Sequence, residues 1–93
     1  MTQQLMFRDN SITSLTGASQ QALPLNGARQ FLLIENTGNA NVGVNISGSA
    51  AAIGGTGTLT LVPNGTLILD HVVPQNQINV IGAAGQPLTV IEA

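Results

Sequence analysis

The sequence predicts an all-β fold, a small antiparallel β-sandwich or jelly-roll-like barrel with an extended N-terminal arm. Three observations predict it. Apolar residues alternate at period two, and in no window of about eleven residues do they recur at helical spacing. Eleven glycines and four prolines cut the chain into short runs. Those runs are rich in Val, Ile, Leu and Thr, the residues that fit a pleated surface, and turn-formers bound them.

Residues 1–28 read as the arm. Leu5, Met6, Phe7, Ile12, Leu15, Leu23 and Leu25 lie singly or in pairs among Gln, Ser, Thr, Gly and Pro24. Met6-Phe7 and Ser11-Ile12-Thr13 leave room for one or two further strands. The sandwich proper is expected over residues 29–93.

Residues 29–36 form its clearest strand. Phe31 and Leu33 point one way and Leu32 and Ile34 the other, so both faces are apolar and both need cover. Residues 42–46 alternate, with Val42, Val44 and Ile46 on one face. Residues 47–57, dominated by Gly, Ala and Ser with Ile53 the only sizeable apolar side chain, predict a long, mobile surface loop. Residues 58–62 and 66–71 flank Pro63-Asn64-Gly65, where proline presets a turn and Asn-Gly tolerates positive φ, which predicts a hairpin. Residues 77–81 and 88–92 form the last pair, each entered just after a proline-bearing segment (Pro74, Pro87). A β-solenoid is the competing architecture, and the sequence shows no fixed internal period to support it.

Composition narrows function. Only 6% of residues are charged, against about 25% in ordinary soluble domains. There is no lysine, and the charges are Arg8, Asp9, Arg29, Glu35, Asp70 and Glu92. Arg29 is expected near Asp70, and Arg8 near Glu35 or Glu92. Lysine is depleted from protein interfaces and used to blunt sheet edges, so its absence points to a surface that is covered in use. Two arginines in a chain of net charge −2 argue against nucleic acid as a partner. Two Phe and no Trp or Tyr argue against stacking platforms. No apolar run approaches the roughly 20 residues of a membrane-spanning helix, and no signal-peptide pattern opens the chain, so synthesis in a cytoplasm and no membrane partner are expected.

Catalysis is not expected either. His71 is the only imidazole, and Asp70 beside it would point to the opposite face of a strand. No nucleophile elbow is present, and no paired carboxylates at short spacing. Gly54-Gly55-Thr56-Gly57 lacks the lysine and helix of a phosphate loop. With no cysteine, no disulfide or thiolate metal site is available, and no cofactor is expected. Asn45-Ile46-Ser47 and Asn64-Gly65-Thr66 match glycosylation sequons but read as turn chemistry. A domain of this size buries only about 60–65% of its unfolded surface. Without disulfide or metal, oligomerisation is the remaining support.

From residue 29 onward the chain carries Arg29-Gln30-Phe31-Leu32-Leu33-Ile34-Glu35-Asn36, Val42-Gly43-Val44-Asn45, and Leu61-Val62-Pro63-Asn64-Gly65-Thr66-Leu67. It closes with Val73-Pro74, Ile78-Asn79-Val80-Ile81 and Leu88-Thr89-Val90-Ile91-Glu92-Ala93. This pattern, over about two-thirds of the chain, resembles the small decoration or cement proteins of tailed-bacteriophage capsids. The resemblance implies a virion structural protein on the capsid exterior, bridging neighbouring capsomers, with the major capsid protein and further copies of itself as partners. A trimer is favoured slightly over a dimer. Leu5, Met6, Phe7, Ile12, Leu32 and Ile34 are the expected oligomer or capsid contacts. Phage fibre, spike or tail modules acting in host attachment share the vocabulary, but usually expose the aromatics or charges this chain lacks.

Overall fold

The computed structural model describes residues 6–93 and contains eight strands and no helix. In chain order they are β1 (Arg8–Asp9), β2 (Gln20–Leu23), β3 (Leu32–Glu35), β4 (Val42–Asn45), β5 (Leu59–Leu61), β6 (Thr66–Leu69), β7 (Ile78–Ile81) and β8 (Thr89–Glu92). They form two four-stranded antiparallel sheets packed face to face, ordered β1-β8-β3-β6 and β2-β7-β4-β5. The pairs 1–8, 2–7, 3–6 and 4–5 are those of one long hairpin rolled across two sheets. That is the strand order of a jelly roll, which needs eight strands and two Greek keys.

Alternation builds the core. Leu32 and Ile34 of β3 and Val90 of β8 point inward from one sheet, and Val42, Val44, Ile78, Val80 and Leu61 from the other. Leu15, Leu23 and Leu88 complete the same cluster. At roughly 1.5–3 kcal/mol for each fully buried side chain, this layer is the main stabilising term. A Cβ added at Gly82 would meet Leu15 Cδ1 at 2.5 Å; the absent side chain is what lets Leu15 reach the core.

The six strands expected over residues 29–92 are all present, each shorter than its apolar run. Their partners differ from expectation. Pro63-Asn64-Gly65 makes a tight turn, with Gly65 N–H donating to Val62 O at 2.7 Å and Asn64 at φ 67°, as a type II turn requires at its third residue. Yet β5 pairs with β4 and β6 with β3, so this turn carries the chain from one sheet to the other and closes no hairpin. β7 and β8 separate likewise. Among the described residues the only consecutive strands that pair are β4 and β5.

Within the segment expected as an arm with one or two strands of its own (1–28), two strands form, at neither Met6-Phe7 nor Ser11-Ile12-Thr13. β1 and β2 each add a strand, one per sheet. Between them the backbone runs along β8 and the segment leading into it. Asn10 N–H donates to Val90 O at 2.7 Å, Ile12 and Leu88 exchange bonds at 2.8 Å, and Leu15 N–H reaches Gln86 O at 2.8 Å. Leu15 and Leu23 enter the core singly, while the residues between them lie at or near the surface. Isolated apolar positions therefore suffice.

Candidate binding face

The two sheets differ on their outer faces. Outward positions of β2-β7-β4-β5 include Gly43, Asn45, Asn79 and Ile81. Residues 46–58, which contain the stretch 47–57 expected to be a mobile loop, are tied back over them. Asn79 Nδ2 donates to Ser49 O at 2.8 Å, and Asn45 Oδ1 accepts from Ser47 N–H at 2.9 Å and Ser49 N–H at 3.2 Å. Ala51 N–H donates to Ser19 Oγ at 2.8 Å. A Cβ at Gly43 would lie 2.8 Å from Thr58 Cγ2 and 2.9 Å from Ile81 Cγ2. The loop can approach only because that position is glycine. Asn45, which heads a sequon match read as turn chemistry, spends its side chain on this tether.

The outer face of β1-β8-β3-β6 has no such cover among the described residues. Register places Asp9, Ile91, Leu33 and Ile68 in one row across the four strands. The next row on that face carries Thr89, Glu35 and Thr66. On the other side Phe31 lies opposite Ala93, with Phe31 N–H donating to Ala93 O at 2.9 Å and Ala93 N–H to Phe31 O at 3.1 Å. Phe7 stands edge-on to Phe31, ring centroids 5.1 Å apart. Ile68 is 54% exposed and Phe7 60%.

Of the expected contact residues, Met6 and Phe7 are exposed, Met6 at 80%. Ile12 is half-buried and bridges to Leu88 against the core. Leu5 lies outside the described residues. Leu32 and Ile34 are a correction. Both have no exposed surface, because the inward phase of β3 is theirs and the sandwich covers that face itself. The half of the strand left open is Phe31 and Leu33. Sequence reasoning saw two apolar faces on one strand but assigned the wrong one to the subunit's own core.

The charges are sorted between interior and surface. Arg29, expected to pair with Asp70, is buried at 1% exposure and pairs with Glu92. Its Nε donates to Glu92 Oε1 at 3.0 Å, its Nη1 to Pro74 O at 2.7 Å and Asn76 O at 3.0 Å, and its Nη2 to Pro24 O at 2.9 Å. Glu92, the inward residue one turn of the pleat beyond Val90, also accepts from Asn26 Nδ2 and Asn10 Nδ2, each at 3.1 Å. Arg8 Nη2 stands 3.8 Å away. Burial raises the Glu92 carboxyl, but the hydrogen bonds from Asn26 and Arg29 and the charges of Arg29 and Arg8 outweigh it and hold the group below its ordinary value. The arrangement is a clasp joining β8 to the segments that enter β3, β7 and the end of β2. No buried side-chain nitrogen or oxygen is left without a partner among the described residues.

Asp9, Glu35 and Asp70 remain outside the clasp. Asp9 belongs to the open face by register and Glu35 to its neighbouring row. Asp70 follows β6 by one residue, at the phase of Ile68. Asp9 accepts from Ser11 N–H at 2.9 Å, and its bonds from Ser11 hold its carboxyl below the ordinary value. Both arginines are engaged with Glu92.

His71 and Asp70 border an open groove with Gln30, Val73 and Gln75, floored by Arg29. A second open groove runs between residues 37–40 and 83–87, where Gln86 Nε2 donates to Asn36 Oδ1 at 3.1 Å. Asn36 is itself held by its donations to Ala40 O and Leu61 O. No three His, Cys, Asp or Glu side chains cluster at metal-binding distance among the described residues. No protein-family model, curated protein or solved structure matches this chain.

Proposed function

We propose that this protein is a virion structural module, a capsid decoration or cement protein that stabilises a phage head by bridging neighbouring capsomers from outside. The observation that carries the reading is the pairing of a self-sufficient jelly roll with an under-charged surface that leaves Met6, Phe7, Ile68, Leu25 and Val72 exposed. Free soluble domains keep large apolar patches small and charge density high. A module that spends its working life seated on an assembly needs neither. The eight-stranded roll supports the reading, since jelly rolls recur in viral shells, and so does the motif resemblance over residues 29–93. Its role in this reading is adhesive rather than catalytic, with the capsid shell and further copies of the chain as partners and a trimer ahead of a dimer.

Particles made without the protein test it. They are expected to bind purified protein at a fixed ratio to capsomers, and to rupture at lower temperature until it is added back. Electron microscopy of the decorated particle reads the position directly. Density at a fibre or tail tip instead of the head overturns the decoration reading in favour of an attachment module. Sedimentation of the free protein decides the oligomer, and a monomer at micromolar concentration rejects self-association off the particle.

A further inference from the structure

Resting on that reading, we propose that the outer face of β1-β8-β3-β6 is the surface that seats the protein, and that its occupant is a protein surface of apolar anchors ringed by lysine or arginine. The face has an apolar centre of Phe31, Leu33, Ile68 and Ile91, with Phe7 leaning on Phe31. Its counterpart on the other sheet is closed by residues 46–58. Among the described residues, one molecule thus covers one sheet from its own chain and leaves the other open.

Charge identifies what covers it. Of the four carboxylates in the sequence, Glu92 is consumed in the clasp. The other three, Asp9, Glu35 and Asp70, lie on or at the rim of this face. Arg29 is buried against Glu92 at 3.0 Å, and Arg8 stands half-exposed 3.8 Å from the same carboxylate, so among the described residues the rim sets three carboxylates against one partly exposed arginine. An apolar centre with an acidic rim is the complement of an apolar knob with a basic rim, and complementary rims set partner choice and association rate.

The same pattern disfavours a second copy. A two-fold pairing lays a patch against itself, which would set acidic rim against acidic rim. Area points the same way. Four strands at about 4.8 Å spacing and about 3.3 Å per residue give a face on the order of 250 Å², against roughly 800 Å² per partner for a stable complex. A larger surface that also wraps the rim, repeated over an assembly, makes up the difference through multivalency.

The test pairs a defined probe with the particle. Isotope-labelled full-length protein is titrated with a heptapeptide of alternating Lys and Leu, and with its Glu-Leu counterpart. Shift changes from the Lys-Leu peptide are expected to cluster at Phe31, Leu33, Glu35, Ile68 and Ile91. They should weaken at least tenfold in about 0.5 M salt, where the Debye length falls below about 5 Å, and in the D9N/E35Q/D70N variant; the Glu-Leu peptide should leave them unmoved. In parallel, I68S/L33S is expected to lower particle occupancy at least tenfold with its melting transition retained. Peptide shifts centred on residues 46–58, or equal response to both peptides, overturn the inference. Undiminished particle binding by I68S/L33S overturns it too, while leaving the capsid reading intact. A dimer that sediments as such and is lost in I68S/L33S makes a second copy the occupant and likewise overturns it. Peptide binding at this face by a protein that never joins particles supports the basic, apolar partner and removes the capsid as its identity.

Discussion

The two outer faces of this sandwich are built from similar strands and end in opposite states. On β2-β7-β4-β5 the outward positions include Gly43, Asn45 and Asn79, a glycine and two amides, beside Ile81. On β1-β8-β3-β6 they are Leu33, Ile68 and Ile91, with carboxylates around them. The first set holds backbone. Asn side chains offer both a donor and an acceptor, so they can tie down a loop whose own residues are Gly, Ala and Ser, and Gly43 gives that loop room. The second set offers no hydrogen bonds to a loop and gains most from apolar contact. What covers a sheet face is thus set by the side chains that point out of it as much as by the loops available.

The largest effect that tests the contrast lies beneath both faces. Arg29→Ala leaves Glu92 buried without its main partner and the carbonyls of Pro24, Pro74 and Asn76 without a donor. The expected loss is about 3–5 kcal/mol, read by denaturant unfolding, and retention of wild-type stability would show that the clasp is dispensable. The clasp also sets the acid limit. Because the folded Glu92 carboxyl titrates below its ordinary value, its contribution is whole above the unfolded value of about 4.3 and is lost as pH falls through the lowered folded value. Stability should therefore decline on acidification below that point, with a shallower slope in Glu92→Gln.

Next comes Leu15→Ala, at about 2–5 kcal/mol for a buried leucine. It asks whether residues before β2 belong to the shared core, and a loss under 0.5 kcal/mol on the scale of surface changes would return them to the status of an arm. For the same reason, deleting residues 1–16 is expected to unfold the chain rather than merely weaken its associations. Asn79→Ala acts on the covered face alone. Removing the donor to Ser49 O and Gly48 O should cost about 1–3 kcal/mol and raise amide exchange over residues 46–58. The smallest effect belongs to the open face, where Ile68→Ser should change stability by about 0.5 kcal/mol or less. A drop as large as that of Asn79→Ala would mean that the open face is part of the subunit's own core.

Much of this was legible in the sequence, and the gaps have physical causes. Period-two alternation located six strands, and at Val42 and Val44 it named the inward phase. Pro63-Asn64-Gly65 announced a tight turn, but turn chemistry fixes the bend and not the neighbour to which the next strand bonds. Residues 47–57 carried no apolar anchor except Ile53, because their other anchors are Asn45, Asn79 and Ser19, polar side chains outside or at the edge of the loop. Leu15 and Leu23 had no periodic company because each enters the core alone. Arg29 was expected to pair with Asp70, since an arginine entering a strand is usually exposed. A signal was present at the other end: Glu92 shares its phase with Val90 on a strand that is otherwise apolar, and an inward carboxylate demands a buried cation. For the open face, β3 showed that two apolar sides existed without showing which one the second sheet would take.

The rolled hairpin has a kinetic consequence. Its outermost pair joins positions 8 and 92, and Asn10 bonds Glu92 across 82 positions. Of the eight strands only β4 and β5 meet through a local loop. Long closures of this kind must be paid in chain entropy before their contacts form, and such topologies fold in milliseconds to seconds, not microseconds. The β4–β5 hairpin has the shortest closure among these pairs and is expected to form first, with the longer-range pairs following. On a ribosome β1 has no partner until nearly the whole described chain has emerged. The apolar stretch Leu67-Ile68-Leu69 lies in β6, an edge strand even in the finished sheet, guarded on its C-terminal side by the charge of Asp70, a gatekeeper in the sense that flanking charge slows the stacking of such segments.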